Sequence, residues 1–281
     1  VKYAYYPGCS GGATAREYSQ SSVEVSRRLG VELSELSDWN CCGASSAHQT
    51  GNTIMHSLTG RNLARAEREG LEMALICPAC YIRMKDTYLH VKDNVISKDK
   101  MADMIGAQYS AGFDVSHLLD IIVNRVGLEA VRKQVVKPLA GLKVVSYYGC
   151  YLVRPRELTG FDDTENPRSM DHLMSALGAE ALDWGGKVEC CGGSGSFTDK
   201  GAVKDLVRGI MDSAREVGAD LVVTACGLCQ SNLESRQSGG KNIPIVYFTE
   251  LMGLAFGMEA HKWFRQHLVS PDPVLKKYGL A

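Results

Sequence analysis

The sequence predicts an α/β protein made of two similar parallel-sheet units, and three observations carry that expectation. Ten cysteines fall into two equivalent sets of five. Short apolar, strand-like runs alternate with helical segments in both halves, as in parallel sheets joined by crossover helices. Four of the cysteines follow directly on strand-like runs, where α/β sheets build their sites.

The elements follow in order. Residues 2–6 (KYAYY) form a strand closed by Pro7-Gly8. A helix over 14–29 has Thr14 as its expected cap, with Glu17 three residues on. Leu33 and Leu36 mark a second short strand, and 53–69 a helix ended by Gly70. The apolar run from Leu71 to Ile76 leads into Cys77, and Pro78 suits the first turn of a helix. Residues 86–141 are expected to be a mostly helical connection, ending at Pro138 and Gly141. The second half repeats the plan, with a strand at 142–148, helices near 168–177 and 198–217, and a strand at 220–225 before CGLC. A strand in IPIVYF and a helix from Thr249 follow. Pro271 and Pro273 interrupt the last segment, read as a simple ordered tail, with packing on a partner as the alternative. Two units are therefore expected, 1–141 and 142–281.

The spacing identifies the halves as a duplication. Cysteines stand at 9, 41, 42, 77 and 80, and again at 150, 190, 191, 226 and 229. Cys42 to Cys77 and Cys191 to Cys226 are both 35 positions; only the first gap differs, at 32 against 40. The flanks agree as well: YYPGC with YYGC, Asp38-Trp39 with Asp183-Trp184, CCGAS with CCGGS. Such self-similarity is the mark of a tandem repeat.

Composition narrows the function classes. Lys plus Arg total 31 against 32 Asp plus Glu, a net charge of -1, without the basic footprint of a nucleic-acid binder. No apolar run reaches 18 residues, so no transmembrane segment is expected. VKYAYYPGC lacks the apolar core of a signal peptide. A cytoplasmic location is expected, compatible with a peripheral place in a membrane-associated complex. A chain of 281 residues buries a core without disulfide staples, so clustered cysteines point to metal binding or redox chemistry. Thiolates favour soft metals. Two CxxC pairs, each with three further cysteines, favour iron–sulfur clusters, and leave zinc and metal-free redox dithiols open. Gly43 and Gly192 supply backbone freedom directly after each CC pair.

The ten-cysteine order, with Cys41-Cys42-Gly43 and Cys190-Cys191-Gly192 between the outer ligands, resembles the tandem cysteine-rich CCG domains of the B-type subunit of heterodisulfide reductase. The likeness runs over essentially the whole chain. It implies a non-cubane [4Fe-4S] cluster on Cys9, Cys41, Cys42, Cys77 and Cys80, and a second on Cys150, Cys190, Cys191, Cys226 and Cys229. It implies catalysis through those cysteines: reduction of a small disulfide, the coenzyme M–coenzyme B heterodisulfide or an analogue, to two thiols between the clusters. It also implies a ferredoxin-like C-type partner and a flavin-containing A-type partner, since the chain lacks the compact cysteine run of a ferredoxin. The alternative is an electron-transfer or sulfur-oxidising protein acting on protein-bound sulfur or a 2-hydroxy-acid or succinate system.

Other residues are weighed against ordinary roles. Arg154 and Arg156 follow Cys150 and suit an anionic substrate group, against a structural ion pair. His48 and His172 are candidate proton donors, against surface roles. Lys200 defaults to solvent. Trp39 and Trp184 precede the CC pairs and either shield a cluster or pack the core. GGSGS at 192–196 lacks the rest of a phosphate loop, and no dinucleotide fingerprint is present, so no flavin or nicotinamide is expected.

Overall fold

The computed structural model describes residues 1–44, 47–196 and 198–280, with only the backbone of His48. The first half contains strands β1 (Lys2–Tyr6), β2 (Glu32–Glu35), β3 (Met73–Leu75) and β4 (Val115–His117), paired in parallel in the order β2-β1-β3-β4. The second half repeats this with β5 (Lys143–Tyr147), β6 (Glu180–Ala181), β7 (Leu221–Thr224) and β8 (Ile245–Tyr247), in the order β6-β5-β7-β8. The central strands are buried almost throughout. That explains their continuous apolar sequences: a parallel sheet is covered on both faces.

The main helices are α1 (Arg16–Arg28), α2 (Asn52–Arg68), α3 (Pro78–Lys92) and α4 (Leu128–Gln134) in the first half. Those of the second half are α5 (Ser169–Ala176), α6 (Lys200–Glu216), α7 (Gly227–Arg236) and α8 (Phe248–Ala255). In each sheet the chain leaves the first strand to one side and returns to the third on the other. The carboxyl ends of β1 and β3, and of β5 and β7, thus form a topological switch point.

The 86–141 connection is mostly helical, as expected, and it also holds β4, which the sequence pattern does not place. Its three residues are too few for a legible alternation, and their extended form comes from pairing with β3 (Met73↔Val115). Thr14 does not cap α1, which starts at Arg16 without a side-chain cap; Glu17 is buried instead of reaching back. The tail folds onto its own chain, with Trp263, Phe264 and Leu275 buried.

The largest apolar cluster belongs to both halves. Tyr18 and Val25 of α1 share it with Phe248, Leu251 and Met252, while Val131 of α4 shares it with Met170, Leu173 and Met174 of α5. Helix α8 of the second half thus packs on α1 of the first, and α4 of the first half on α5 of the second. Tyr18 and Tyr247 stack across this seam at 4.2 Å, and the Tyr18 hydroxyl donates to the Ala225 carbonyl (3.1 Å), next to Cys226.

Candidate metal centre

The geometry of each site begins with where the strands stop. Cys9 and Cys77 lie just beyond β1 and β3, and Cys150 and Cys226 just beyond β5 and β7. Cys77 and Cys226 are the N-caps of α3 and α7, so Cys80 and Cys229 fall in the first turn of those helices. The CC pairs arrive on the loops after β2 and β6. The five sulfurs of each half therefore meet at one sheet edge. All ten cysteines are free thiols, and exposure repeats between halves: Cys41 and Cys190 are exposed, while Cys42, Cys80, Cys191 and Cys229 are buried.

The CCG turn is built alike in both halves. Gly43 and Gly192 take φ of 73° and 72°, the left-handed region that disfavours side chains. Each glycine amide donates to the sulfur two residues earlier, Cys41 or Cys190, at 3.4 Å. The turn splays the neighbouring side chains, sending the first sulfur outward and the second inward. Cys42 lies 3.1 Å from Cys80, and Cys191 lies 3.6 Å from Cys229.

The thiols perturb one another. Hydrogen bonds from Cys41 and then Cys80 pull Cys42 down to about 3, and a bond from Cys150 pulls Cys190 down to about 6. Bonds from Cys80 and Cys229 lower Cys77 and Cys191. Their donors Cys41, Cys80, Cys150 and Cys229 are pushed up, first by those same bonds and then by burial. Such a set ionises fully only around a cation, and metal binding then releases the remaining protons.

All five cysteines of the second set line one cavity of about 110 Å³, together with Tyr148, Tyr151, Gly193 and Leu228. Its far wall is Pro78 and Ala79, from the first half's CxxC. At the same seam Gly227 approaches Ser10, next to Cys9; a Cβ at Gly227 would meet the Ser10 Oγ at 2.6 Å. The two cysteine sets are thus neighbours. A larger cleft of about 570 Å³ runs along α2 beside Arg61, Arg65 and Arg68, but no cysteine lines it.

Two five-cysteine sets on duplicated sheets have known counterparts. Residues 3–85 and 144–234 match the cysteine-rich CCG domain family. The chain belongs to that family. The CCG chain is 30% identical over 279 residues to the 8-methylmenaquinol:fumarate reductase membrane anchor subunit of Wolinella succinogenes, covering 95% of this chain and 96% of that one. It is 27% identical over 244 residues to the B-type subunit of the ferredoxin/F420H2-dependent CoB-CoM heterodisulfide reductase of Methanosarcina acetivorans, covering 82% and 81%. A hypothetical protein from Helicobacter pylori shares the fold alone, with a TM-score of 0.67 at 11% identity, and the chain spans 51% of its length. Among the described residues of the CCG chain, no helix is long and apolar enough to cross a membrane.

The remaining candidates are placed as follows. The guanidinium of Arg154 is engaged away from the cavity, with Glu165 at 2.6 Å and the Thr164 carbonyl at 3.0 Å. Arg156, His172 and Lys200 are exposed and do not line the cavity. The His48 side chain, a candidate proton donor, lies outside the described residues. Trp184 is buried and donates to the Ser146 carbonyl, while Trp39 is partly exposed and bonds Glu35. Ser194 and its neighbours form a tight turn beside Cys191.

Sequence reasoning missed the residues that hold the CCG loops. The hydroxyls of Tyr6 and Tyr147, the last residues of β1 and β5, donate to the carbonyls of Asn40 (2.9 Å) and Glu189 (2.6 Å). Those carbonyls directly precede the two CC pairs. Trp39 and Trp184 pack on these tyrosines. The shared YY before each first cysteine was the available signal.

Gly8 and Gly149 were also missed. A Cβ there would lie 3.2 Å from the Cys80 Sγ and 3.3 Å from the Cys229 Sγ, at φ of 65° and 67°. Gly149→Ala is therefore expected to lose about half of the bound iron. Gly160→Ala is the control: it carries similar strain (φ 59°) but meets only the Arg156 carbonyl, at 3.6 Å. It should lose roughly 1–2 kcal/mol of stability and keep its iron. Equal iron loss in both variants would deny the Cys229 contact its role.

Proposed function

We propose that this chain is the catalytic iron–sulfur subunit of a heterodisulfide reductase or heterodisulfide reductase-like complex. It reduces a small disulfide, the coenzyme M–coenzyme B heterodisulfide or an analogue, to two thiols. In this reading Cys9, Cys41, Cys42, Cys77 and Cys80 hold one non-cubane [4Fe-4S] cluster, and Cys150, Cys190, Cys191, Cys226 and Cys229 hold the other. Residues 1–141 and 142–281 are the two cluster-bearing units. The observation that carries the reading is the apposition of two complete five-thiol sets, with Pro78 and Ala79 of one forming the wall of the other's cavity.

When bound, such clusters supply single electrons and a thiophilic metal. The protein's contribution is positional. Pro78 and Ala79 of the first CxxC segment line the second set's cavity, and in this reading one small molecule spans the seam between the two sites. Pro78, Ala79, Leu228 and Tyr151 give the cavity an apolar rim, which limits water there. The exposed Cys9, Cys41 and Cys190 mark where the centres approach the surface, suiting electron entry from a ferredoxin-like C-type partner supplied by a flavin-containing A-type partner. The complex is placed in the cytoplasm, free or peripherally membrane-associated.

A second reading is favoured by the 30% identity to a fumarate reductase anchor subunit: an electron-transfer component of a membrane-bound system. Both readings need the clusters. Strictly anaerobic purification should give about eight iron and eight acid-labile sulfide per chain. Addition of a small heterodisulfide should then drive oxidation of reduced viologen by the loaded protein. Full clusters without disulfide turnover would select the second reading, and zinc in place of iron would overturn both.

A further inference from the structure

Away from the cysteines, α2 and α3 bring a second group of ligands together. His56 is a buried residue of α2. Asp86 and His90 lie one turn apart on α3, on the same face. One nitrogen of each imidazole and one Asp86 oxygen lie within 4.8 Å of one another, and the rings are 4.9 Å apart between centroids.

Hydrogen bonds fix both tautomers. His90 Nδ1 lies 2.8 Å from the Asp86 carbonyl oxygen and 3.3 Å from its carboxylate. Both oxygens only accept, so Nδ1 carries the proton. For His56 the assignment runs through two threonines. The Thr59 hydroxyl donates to the Met55 carbonyl (2.7 Å), so it accepts from Thr87 (2.7 Å). The Thr87 oxygen is then the acceptor for His56 Nδ1 at 2.8 Å. In both rings the lone pair is left on Nε2. Anchoring one imidazole nitrogen by an outer hydrogen bond, with the other left free, is how proteins orient metal-binding histidines.

We infer that His56, Asp86 and His90 form a binding site for a divalent transition metal of the zinc class, separate from the cysteine centres, with a fourth position for water. Two neutral imidazoles and a carboxylate are an established donor set for zinc. Ligands on one ion stand roughly 3.4 Å apart, so the side chains close by rotamer adjustment on binding, the Asp86 carboxylate leaving His90 Nδ1 to its carbonyl partner. His90 is ten residues beyond Cys80 on α3, about 15 Å along the axis. The ion would clamp α2 to the helix whose first turn carries Cys77 and Cys80.

The test uses the anaerobically purified, cluster-loaded protein, equilibrated with one equivalent of Zn2+ and gel-filtered. Zinc and iron per chain are measured, with zinc X-ray absorption. One zinc per chain is expected, with only nitrogen and oxygen neighbours. His90→Ala and Asp86→Asn, both at partly exposed positions, should each lose it while keeping their iron, which also reports that they fold. Absence of retained zinc, sulfur neighbours around it, or full retention in both variants would overturn the inference.

Discussion

Cys191→Ala protein, purified anaerobically, is expected to hold about half the iron of the wild type and to lose disulfide turnover by at least about 100-fold. Cys42→Ala should behave the same way, and the double variant should be nearly iron-free. Each sheet edge draws its five sulfurs from its own half, and no cysteine is shared. Emptying one edge should leave the other intact. Cys42 and Cys191 are the inward members of the CC pairs, only 2% and 5% exposed, and each sits against the first-turn cysteine of its CxxC. Serine is a harder ligand and alanine none, so alanine tests the position cleanly. Turnover falls much further than iron because the proposed reaction needs both centres on one substrate. Circular dichroism checks the fold. A single variant that keeps all its iron, or that keeps turnover on half of it, would sink the two-centre mechanism.

His267→Ala is expected to cost about 3–5 kcal/mol of folding stability, because it leaves buried carboxylates unpaired. His267 Nε2 lies 2.9 Å from Glu250, and its Nδ1 is 3.6 Å from Glu234. All three side chains are almost fully buried. Burial, the largest single effect, works against charge on the imidazole, but the Glu250 and Glu234 carboxylates together outweigh it and lift His267 to about 10. An unfolded histidine titrates near roughly 6.5. A pKa raised on folding contributes stability that is fully present below the unfolded value and is lost as pH rises through the folded one. The wild type should therefore lose stability between about pH 6.5 and pH 10. His267→Ala should lack that component, with a midpoint on the order of 10 °C lower at neutral pH. Thermal melts followed by circular dichroism across this range provide the check. A variant within about 1 kcal/mol of wild type would mean that the carboxylates are protonated or hydrated instead.

Much of this was legible in the sequence, for identifiable reasons. The apolar runs ending at Tyr6, Ile76, Tyr148 and Ala225 are continuous because central parallel strands are covered on both faces, so the sheet class followed. The repeated spacing located all ten cysteines on strand ends, helix starts and the loops between, and the structure gathers them into two groups. What stayed hidden depended on tertiary context. β4 is extended only because β3 offers it an edge. The Tyr6 and Tyr147 hydroxyls find carbonyls more than thirty residues away. Arg154 stands beside a cysteine in sequence, yet Glu165 turns its guanidinium elsewhere. The His267 network joins α7, α8 and the tail, and no local pattern announces it.

The exchange of helices across the seam bears on how the protein is made. During synthesis the N-terminal sheet emerges complete by residue 117, yet the apolar face of α1 waits for α8, which begins 131 residues later at Phe248. The nascent first half carries its five thiols, two of them exposed, before that face can close. Chaperoned metal delivery would therefore meet a half-built receptacle on the ribosome, and the order of translation makes the finished protein's two similar centres unequal at birth.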